Sequence, residues 1–269
     1  MGDTVRELLE RRAEILEAVS TSYKTKPEIT DETSKSRSTV NRAINELLEE
    51  GLIIEQQSAY KATQTASHFC LAHNNYQSHI DAIANAEPVL NDIKENEFLP
   101  DEVLRGAKIQ PPTPEMPARA AQPFADIIKT NDHTHVRGTR PVTLGMYNHL
   151  FQDYIIEGRL TSETIFNPTI LETLEQDFSE KLEKIVNSGR FTGYMHDDLP
   201  SYTIAIFTSD ENSCVGILTH DTNKMGASLI NYSPEAVAWA HNRVDELIEE
   251  AELSYEPPDQ EAEPVNCSP

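Results

Sequence analysis

Lys35-Ser36-Arg37-Ser38-Thr39-Val40-Asn41-Arg42-Ala43-Ile44-Asn45-Glu46-Leu47-Leu48-Glu49-Glu50-Gly51-Leu52-Ile53 is the stretch that decides the reading of this chain. Val40, Ile44, Leu47 and Leu48 recur at helical spacing and line one face. Ser36 suits the N-cap, because a serine oxygen accepts from an N–H that the first helical turn leaves unpaired. Gly51 stands where a helix commonly ends in left-handed backbone. The pattern predicts a helix over roughly 37–50. Next, Leu52-Ile53-Ile54-Glu55 reads as a short strand, Gln56-Gln57-Ser58-Ala59 as a tight turn, and Tyr60-Lys61-Ala62-Thr63 as the returning strand.

Upstream, Val5, Leu8, Leu9, Ile15, Leu16 and Val19 form an apolar stripe that predicts a first helix over roughly 3–20. Pro27 fits the first turn of a short second helix, roughly 26–33, with Ile29 as its core residue. Ser34-Lys35 then makes the turn into the third helix. Three short helices followed by a two-stranded hairpin predict a winged helix-turn-helix over 1–63.

Such a module reads DNA when the N-terminal, outward face of its last helix carries small polar and basic side chains. From Lys35 through Asn45 there are three basic residues and no acid. Arginine grips guanine O6/N7 and asparagine reads adenine N6/N7, so Arg37, Ser38, Asn41 and Arg42 are the candidates for base edges. Lys35, Ser36 and Thr39 are candidates for phosphate, and Gln57, Ser58 and Lys61 in the hairpin for backbone or minor groove. The expected partner is double-stranded DNA, read by a homodimer, since two reading helices one duplex turn apart match a palindrome. The alternative is a winged-helix adaptor that binds protein without sequence-specific DNA recognition.

The bulk charge runs against this reading until it is apportioned. The 269 residues carry 22 Lys+Arg and 45 Asp+Glu, a formal net charge of -23. Residues 1–61 hold 9 basic and 12 acidic residues, leaving 13 basic and 33 acidic for the rest. A broadly acidic surface points to a halophilic protein, because in ~1 M salt the Debye length is only ~3 Å and distant acids neither repel DNA nor destabilise the fold. Loss of folded circular dichroism in dilute buffer is the expected outcome. Cys70, Cys214 and Cys267 are odd in number and widely spaced, which predicts a reducing compartment and no disulfide framework. No run approaches the ~18 apolar residues of a membrane span and no signal peptide is recognised, so a soluble, cytoplasmic protein with no membrane partner is expected.

Residues 64–97 read as a helical connector with a break at Pro88. Its stripe of Phe69, Leu71, Ile80, Ile83, Val89 and Leu90 would serve either a dimer interface or docking on the chain's own second domain. Pro111, Pro112, Pro114 and Pro117 mark an extended stretch. Within a second domain over 98–253, helices are predicted over 118–130, 143–158, 168–187 and from 234 to about 253. Strands are predicted over 133–138, 160–166, 190–195, 202–208, 214–219 and 227–232. The fold class is α+β: an N-terminal winged helix-turn-helix, a helical connector, and a mixed α/β, sensor-like domain with a meander on one side. The acidic, Pro-rich stretch 254–269 is expected to be a disordered tail.

In that second domain Arg137, Thr139 and Arg140 gather just before the helix predicted near Val142, with Thr143 adding a hydroxyl. A helix N-terminus beside arginines suits a small anionic metabolite, phosphorylated or carboxylated; the alternative is pairing of both arginines with acidic surface. His133 and His135 alternate on a predicted strand, with His149, His196, His220 and His241 elsewhere, but no ligand spacing points to a metal. His196-Asp197-Asp198 before Leu199-Pro200 reads as a turn. Cys214 is expected in the core, and Cys70 and Cys267 at the surface. Nothing has a catalytic spacing, so neither an enzyme nor a cofactor is expected.

Ser36-Arg37-Ser38-Thr39-Val40 with Leu47-Leu48-Glu49-Glu50-Gly51-Leu52-Ile53 resembles the recognition helix and wing of many archaeal regulators. Ser188-Gly189-Arg190, His196 through Pro200, Val215-Gly216-Ile217 and Ser233 through Ala240 resemble the FilR-type middle domain of methanogenesis regulators, found in many halophilic archaeal regulators. The resemblance reaches to about residue 251. It implies a transcription regulator whose second domain is a sensor. It implies no particular effector and no catalytic residues.

Overall fold

A computed structural model describes residues 2–113, 116–130, 134–141, 145–210, 212–221 and 224–256. The chain forms two compact units, 1–81 and 82–269, and the division falls inside one long helix.

The first unit runs α1 (Gly2–Ala18), β1 (Lys24–Thr25), α2 (Lys26–Thr33), α3 (Arg37–Glu49), β2 (Ile53–Gln56), β3 (Ala59–Ala62) and the start of α4 (Gln64–Leu90). The stripe of α1 is buried against Ile29 of α2 and Val40, Ile44 and Leu47 of α3 in one core. Thr25 starts α2 by donating its N–H to Glu28 Oε2 at 2.7 Å, and this contact holds the Glu28 carboxyl below its ordinary range. The sheet is antiparallel in the order β1-β3-β2, which with the three helices makes the winged-helix arrangement. The two residues of β1 are too few to carry a pattern, and only their pairing with Ala59 and Tyr60 makes them a strand.

The second unit begins before residue 98, because Ala86 and Val89 of α4 are buried in its core. It continues with α5 (Asp101–Leu104), β4 (Lys108–Gln110), a 3-10 turn (Pro117–Ala121), α6 (Gln122–Lys129), β5 (His135–Arg140), α7 (Gly145–Ile156), β6 (Thr161–Phe166), α8 (Pro168–Asp177), α9 (Ser179–Asn187), β7 (Phe191–Met195), β8 (Tyr202–Thr208), β9 (Ser213–Asp221), β10 (Lys224–Asn231), α10 (Pro234–Glu249) and β11 (Glu252–Tyr255). The eight-stranded sheet has the order β11-β7-β6-β5-β8-β9-β10-β4. β5, β6 and β7 are parallel, joined by helical crossovers, while β8, β9 and β10 form the antiparallel meander expected on one side.

Each face of this sheet has its own core. Ile165, Ile204, Ile206, Val215, Ile217 and Leu229 face one way and pack with α5, α10 and the end of α4. Phe166, Phe191, Ala205, Phe207, Leu218 and Ile230 face the other way and pack with α6, α7, α8 and α9. Burial on both faces explains why the central strands read as nearly continuous apolar runs.

Four expectations need correction. The helix predicted over 168–187 is two, because Phe178 leaves helical geometry at φ -133, ψ 24. Pro88 lies inside α4 without ending it before Leu90. The tail does not begin at Ser254: Leu253 pairs with Tyr194 and Tyr255 with Gly193, and the Tyr255 ring sits 6.2 Å from that of Phe191. Cys70 is buried rather than at the surface, among Phe69, Ala66 and the α1 stripe. Cys214 is in the core as expected, and burial pushes its thiol up to about 12. Pro114, His133, Val142, Thr143, Cys267 and the remainder of the tail from 257 lie outside the described residues, as does the side chain of His149.

Candidate nucleic-acid interface and the proposed anion site

Helix α3 presents its N-terminal half outward. Lys35, Ser36, Arg37, Ser38, Asn41 and Arg42 are exposed and Thr39 is half-buried, while Val40, Ala43, Ile44 and Leu47 face the core. Ser36 is the N-cap, its Oγ accepting from the Thr39 N–H at 3.2 Å and lying 2.8 Å from the hydroxyls of both Ser38 and Thr39. The Ser36 oxygen thus caps the helix start. Lys35 pairs with Glu14 at 2.8 Å, and Arg42 with Glu46 at 3.3 Å. Glu46 also takes Arg12 at 2.9 Å, and that bond holds its carboxyl below the ordinary range. Arg42 remains largely exposed, so its weak i,i+4 pair leaves the guanidinium available. Arg37 makes no ion pair among the described residues. The helix itself thus carries no acid before Glu46, and Arg37 at its tip is the basic side chain of this face with no ion pair among the described residues.

The hairpin beside it turns on Gln57 and Ser58, both exposed and both left-handed, at φ 50 and 61. Two successive left-handed residues make the two-residue turn whose twist matches that of the paired strands. Lys61 does not extend from the hairpin: it is half-buried, its ammonium 5.8 Å from the centre of the Tyr23 ring. Lys24 pairs with Glu32. Lys26 lies over the Tyr60 ring at 5.6 Å, so the unit's other lysines brace β1 and β3.

Of the anion site expected from Arg137, Thr139, Arg140 and Thr143, the three described residues do not assemble as one group, and Thr143 lies outside the described residues. Arg137 donates to Glu163 Oε2 at 2.6 Å, to Asp245 Oδ1 at 2.7 Å and to His241 Nδ1 at 3.3 Å, on the α10 side of the sheet. Two carboxylates neutralise it there. Thr139 is buried and its Oγ1 accepts from the Ile204 N–H at 3.0 Å. Arg140, three residues from Arg137 on the same strand, faces the opposite side, where its guanidinium lies 5.9 Å from the centre of the Phe166 ring. Burial pushes Arg140 down to about 10, still a cation at neutral pH.

The histidines are also dispersed. His135 Nδ1 lies 2.7 Å from Thr161 Oγ1, His241 sits beside Arg137, and His220 is half-buried on β9. Among the described residues no three His, Cys, Asp or Glu side chains gather as a metal site would require. His196 Nδ1 accepts from the Asp198 N–H at 3.0 Å and closes the predicted turn. No described helix is long and apolar enough to cross a membrane.

The class these units define is a winged helix-turn-helix joined in one chain to an α/β domain. Residues 117–250 match the family of the middle domain of the methanogenesis regulatory protein FilR1, and residues 5–85 match the HVO_A0261 N-terminal domain family. Among solved structures, the archaeal chromatin protein TrmBL2, described with a novel mode of DNA binding, is 11% identical. The match covers 94% of this chain and all of that one, with a TM-score of 0.41. The phospholipase D family member Nuc from Salmonella typhimurium is 12% identical over 56% of this chain and 99% of its own, at 0.40. NucT from Helicobacter pylori is 12% identical over 55% and 98%, at 0.43. Likenesses at these scores carry no argument about function. No curated protein sequence matches the chain.

Proposed function

We propose that this chain is a DNA-binding transcriptional regulator, with α3 as the reading helix and the second unit as an effector domain. The observation that carries the reading is the exposed face of Arg37, Ser38, Asn41 and Arg42, in a stretch without acids from Lys35 to Asn45 of a chain with twice as many acids as bases. The match of residues 117–250 to the middle domain of a regulatory protein supports the second half of it. Tyr76, Ile80 and Ile83 are exposed at i, i+4, i+7 spacing along α4, which supports a homodimer as the working form. The acid excess outside the first unit fits work in concentrated salt. The reading assigns no catalytic step.

A mobility shift on the chain's own promoter, run in concentrated salt, tests it. Arg37→Ala and Arg42→Ala are each expected to cost about 1–3 kcal/mol of specific binding with melting temperature unchanged. Undiminished binding in both variants removes α3 as the reader. No DNA binding by the wild type, with a protein captured through the same face, would make the module an adaptor.

A further inference from the structure

A cavity of about 120 Å³ lies within the second unit, between β5–β8 of the sheet and the layer of α6–α9. Its walls are mainly apolar, with Ile155, Phe166, Leu174 and Phe191 prominent. No aspartate or glutamate lines it among the described residues, yet Arg140 does. Arg140, Gln152, Ser162, Thr164 and Thr203 are among its lining residues. Ser162 and Thr164 satisfy each other, with their hydroxyls 2.9 Å apart. Gln152 and Thr203 are only 6% and 9% exposed, and Gln152 Oε1 and Thr203 Oγ1 have no hydrogen-bond partner among the described residues. Buried polar atoms are nearly always paired, because leaving one unpaired forfeits its hydration without return. Two orphans and a half-buried cation in one otherwise apolar cavity point to a ligand site.

The chemistry of the three groups narrows the ligand. Arginine offers a fixed fork of N–H donors that suits a carboxylate, and it can engage one alongside its other contacts. The Thr203 hydroxyl can donate to the same carboxylate. Gln152 Oε1 can only accept, so the ligand must bring a donor of its own. The volume sets the size: a cavity of ~150 Å³ takes up benzene, so this somewhat smaller one suits a compact ligand of roughly five to seven heavy atoms. We propose that the cavity binds a small, branched α-hydroxy monocarboxylate. Its carboxylate meets Arg140 and Thr203, its hydroxyl donates to Gln152, and its alkyl body packs on Phe166 and Phe191. The proposal deepens the effector-domain reading by naming the class of effector.

The test uses the full-length chain with three near-isosteric probes: α-hydroxyisobutyrate, pivalate, which has a methyl in place of the hydroxyl, and α-hydroxyisobutyramide, which lacks the charge. At about a hundredfold excess over its Kd, α-hydroxyisobutyrate is expected to raise the Tm by about 5–10 °C. Calorimetric titration is expected to show pivalate and the amide at least about tenfold weaker. Gln152→Leu keeps the volume and removes the orphan acceptor, so it should fold normally, bind pivalate as before and lose its preference for the hydroxyl. Arg140→Gln should lose the preference for the acid over the amide. The proposal is overturned if none of the three probes binds the wild type, if acid and amide bind equally, or if Gln152→Leu keeps the hydroxyl preference. Because no DNA is present, failure here leaves the reading of α3 intact. Binding without any DNA shift would sink the regulator and spare the cavity.

Discussion

At the scale of single residues, the start of α3 divides its labour sharply. Ser36 and Arg37 are neighbours, yet one oxygen is spent on capping while the other side chain stands in solvent without an ion pair among the described residues. Ser36→Ala is therefore expected to lower stability by about 1 kcal/mol in a denaturant melt, with Ser36→Asp retaining most of it, because the lost contact is the cap. An undiminished melt for Ser36→Ala would show that the cap contributes nothing. The serine was legible from its place before an apolar helical face. The hydroxyl contacts it makes with Ser38 and Thr39 were not, since they show only once the neighbours are placed. The separation of Arg137 from Arg140 follows from strand alternation alone: an odd spacing sends the two side chains to opposite faces. Grouping them by proximity in sequence missed a signal that was present. The acids that neutralise Arg137, Glu163 on β6 and Asp245 on α10, arrive from far along the chain.

At the scale of elements, the hairpin of the winged unit carries local strain. Gln57 and Ser58 occupy left-handed backbone that costs a side-chain-bearing residue roughly 1–2 kcal/mol. Ser58→Gly relieves it at some cost in chain entropy, so a gain of about 0.5–1 kcal/mol is expected in thermal unfolding. A loss of stability would mean that the serine side chain makes a contact worth more than the strain. The long periodic elements α1, α3 and α10 were legible because their apolar stripes repeat over several turns. The two-residue β1 and three-residue β4 were not, because each is defined by its partner rather than by a pattern of its own. The same holds for β11, whose Tyr255 packs on Phe191 although the acidic sequence around it reads as tail. The break at Phe178 also lacks a local signal: neither proline nor glycine stands there, and α8 and α9 each cover part of the same sheet face.

At the scale of the whole molecule, half-buried histidines make stability depend on pH. Burial lowers the affinity of His135, His220 and His241 for a proton, with Arg137 opposing the charge on His135 and His241. Each folded-state pKa lies below the unfolded one, so the unfolded chain takes up more protons as pH falls. Their contribution is fully present above the ordinary histidine pKa of about 6.5 and is lost below it. The Tm is expected to drop between about pH 7.5 and pH 5.5, and His220→Gln to flatten that slope. A pH-independent Tm across this window would contradict it. The carboxylates held down by hydrogen bonds, Glu28 and Glu46, titrate below the ordinary glutamate range and leave this window to the histidines.

The amino-acid order by itself determined the winged unit, the strands and helices of the central sheet, and the basic island on an acidic chain. Those features rest on local periodicity, capping and composition, which act over a few residues. Only the tertiary structure decided which polar groups meet. Arg140, Gln152 and Thr203 come from β5, α7 and β8 and share no spacing in the chain. Their convergence depends on the parallel crossover that lays α7 over the sheet and on the strand order that sets β8 beside β5. Long-range pairing, unlike a cap or a stripe, leaves no mark on neighbouring residues, and so the cavity appears only when the sheet is assembled.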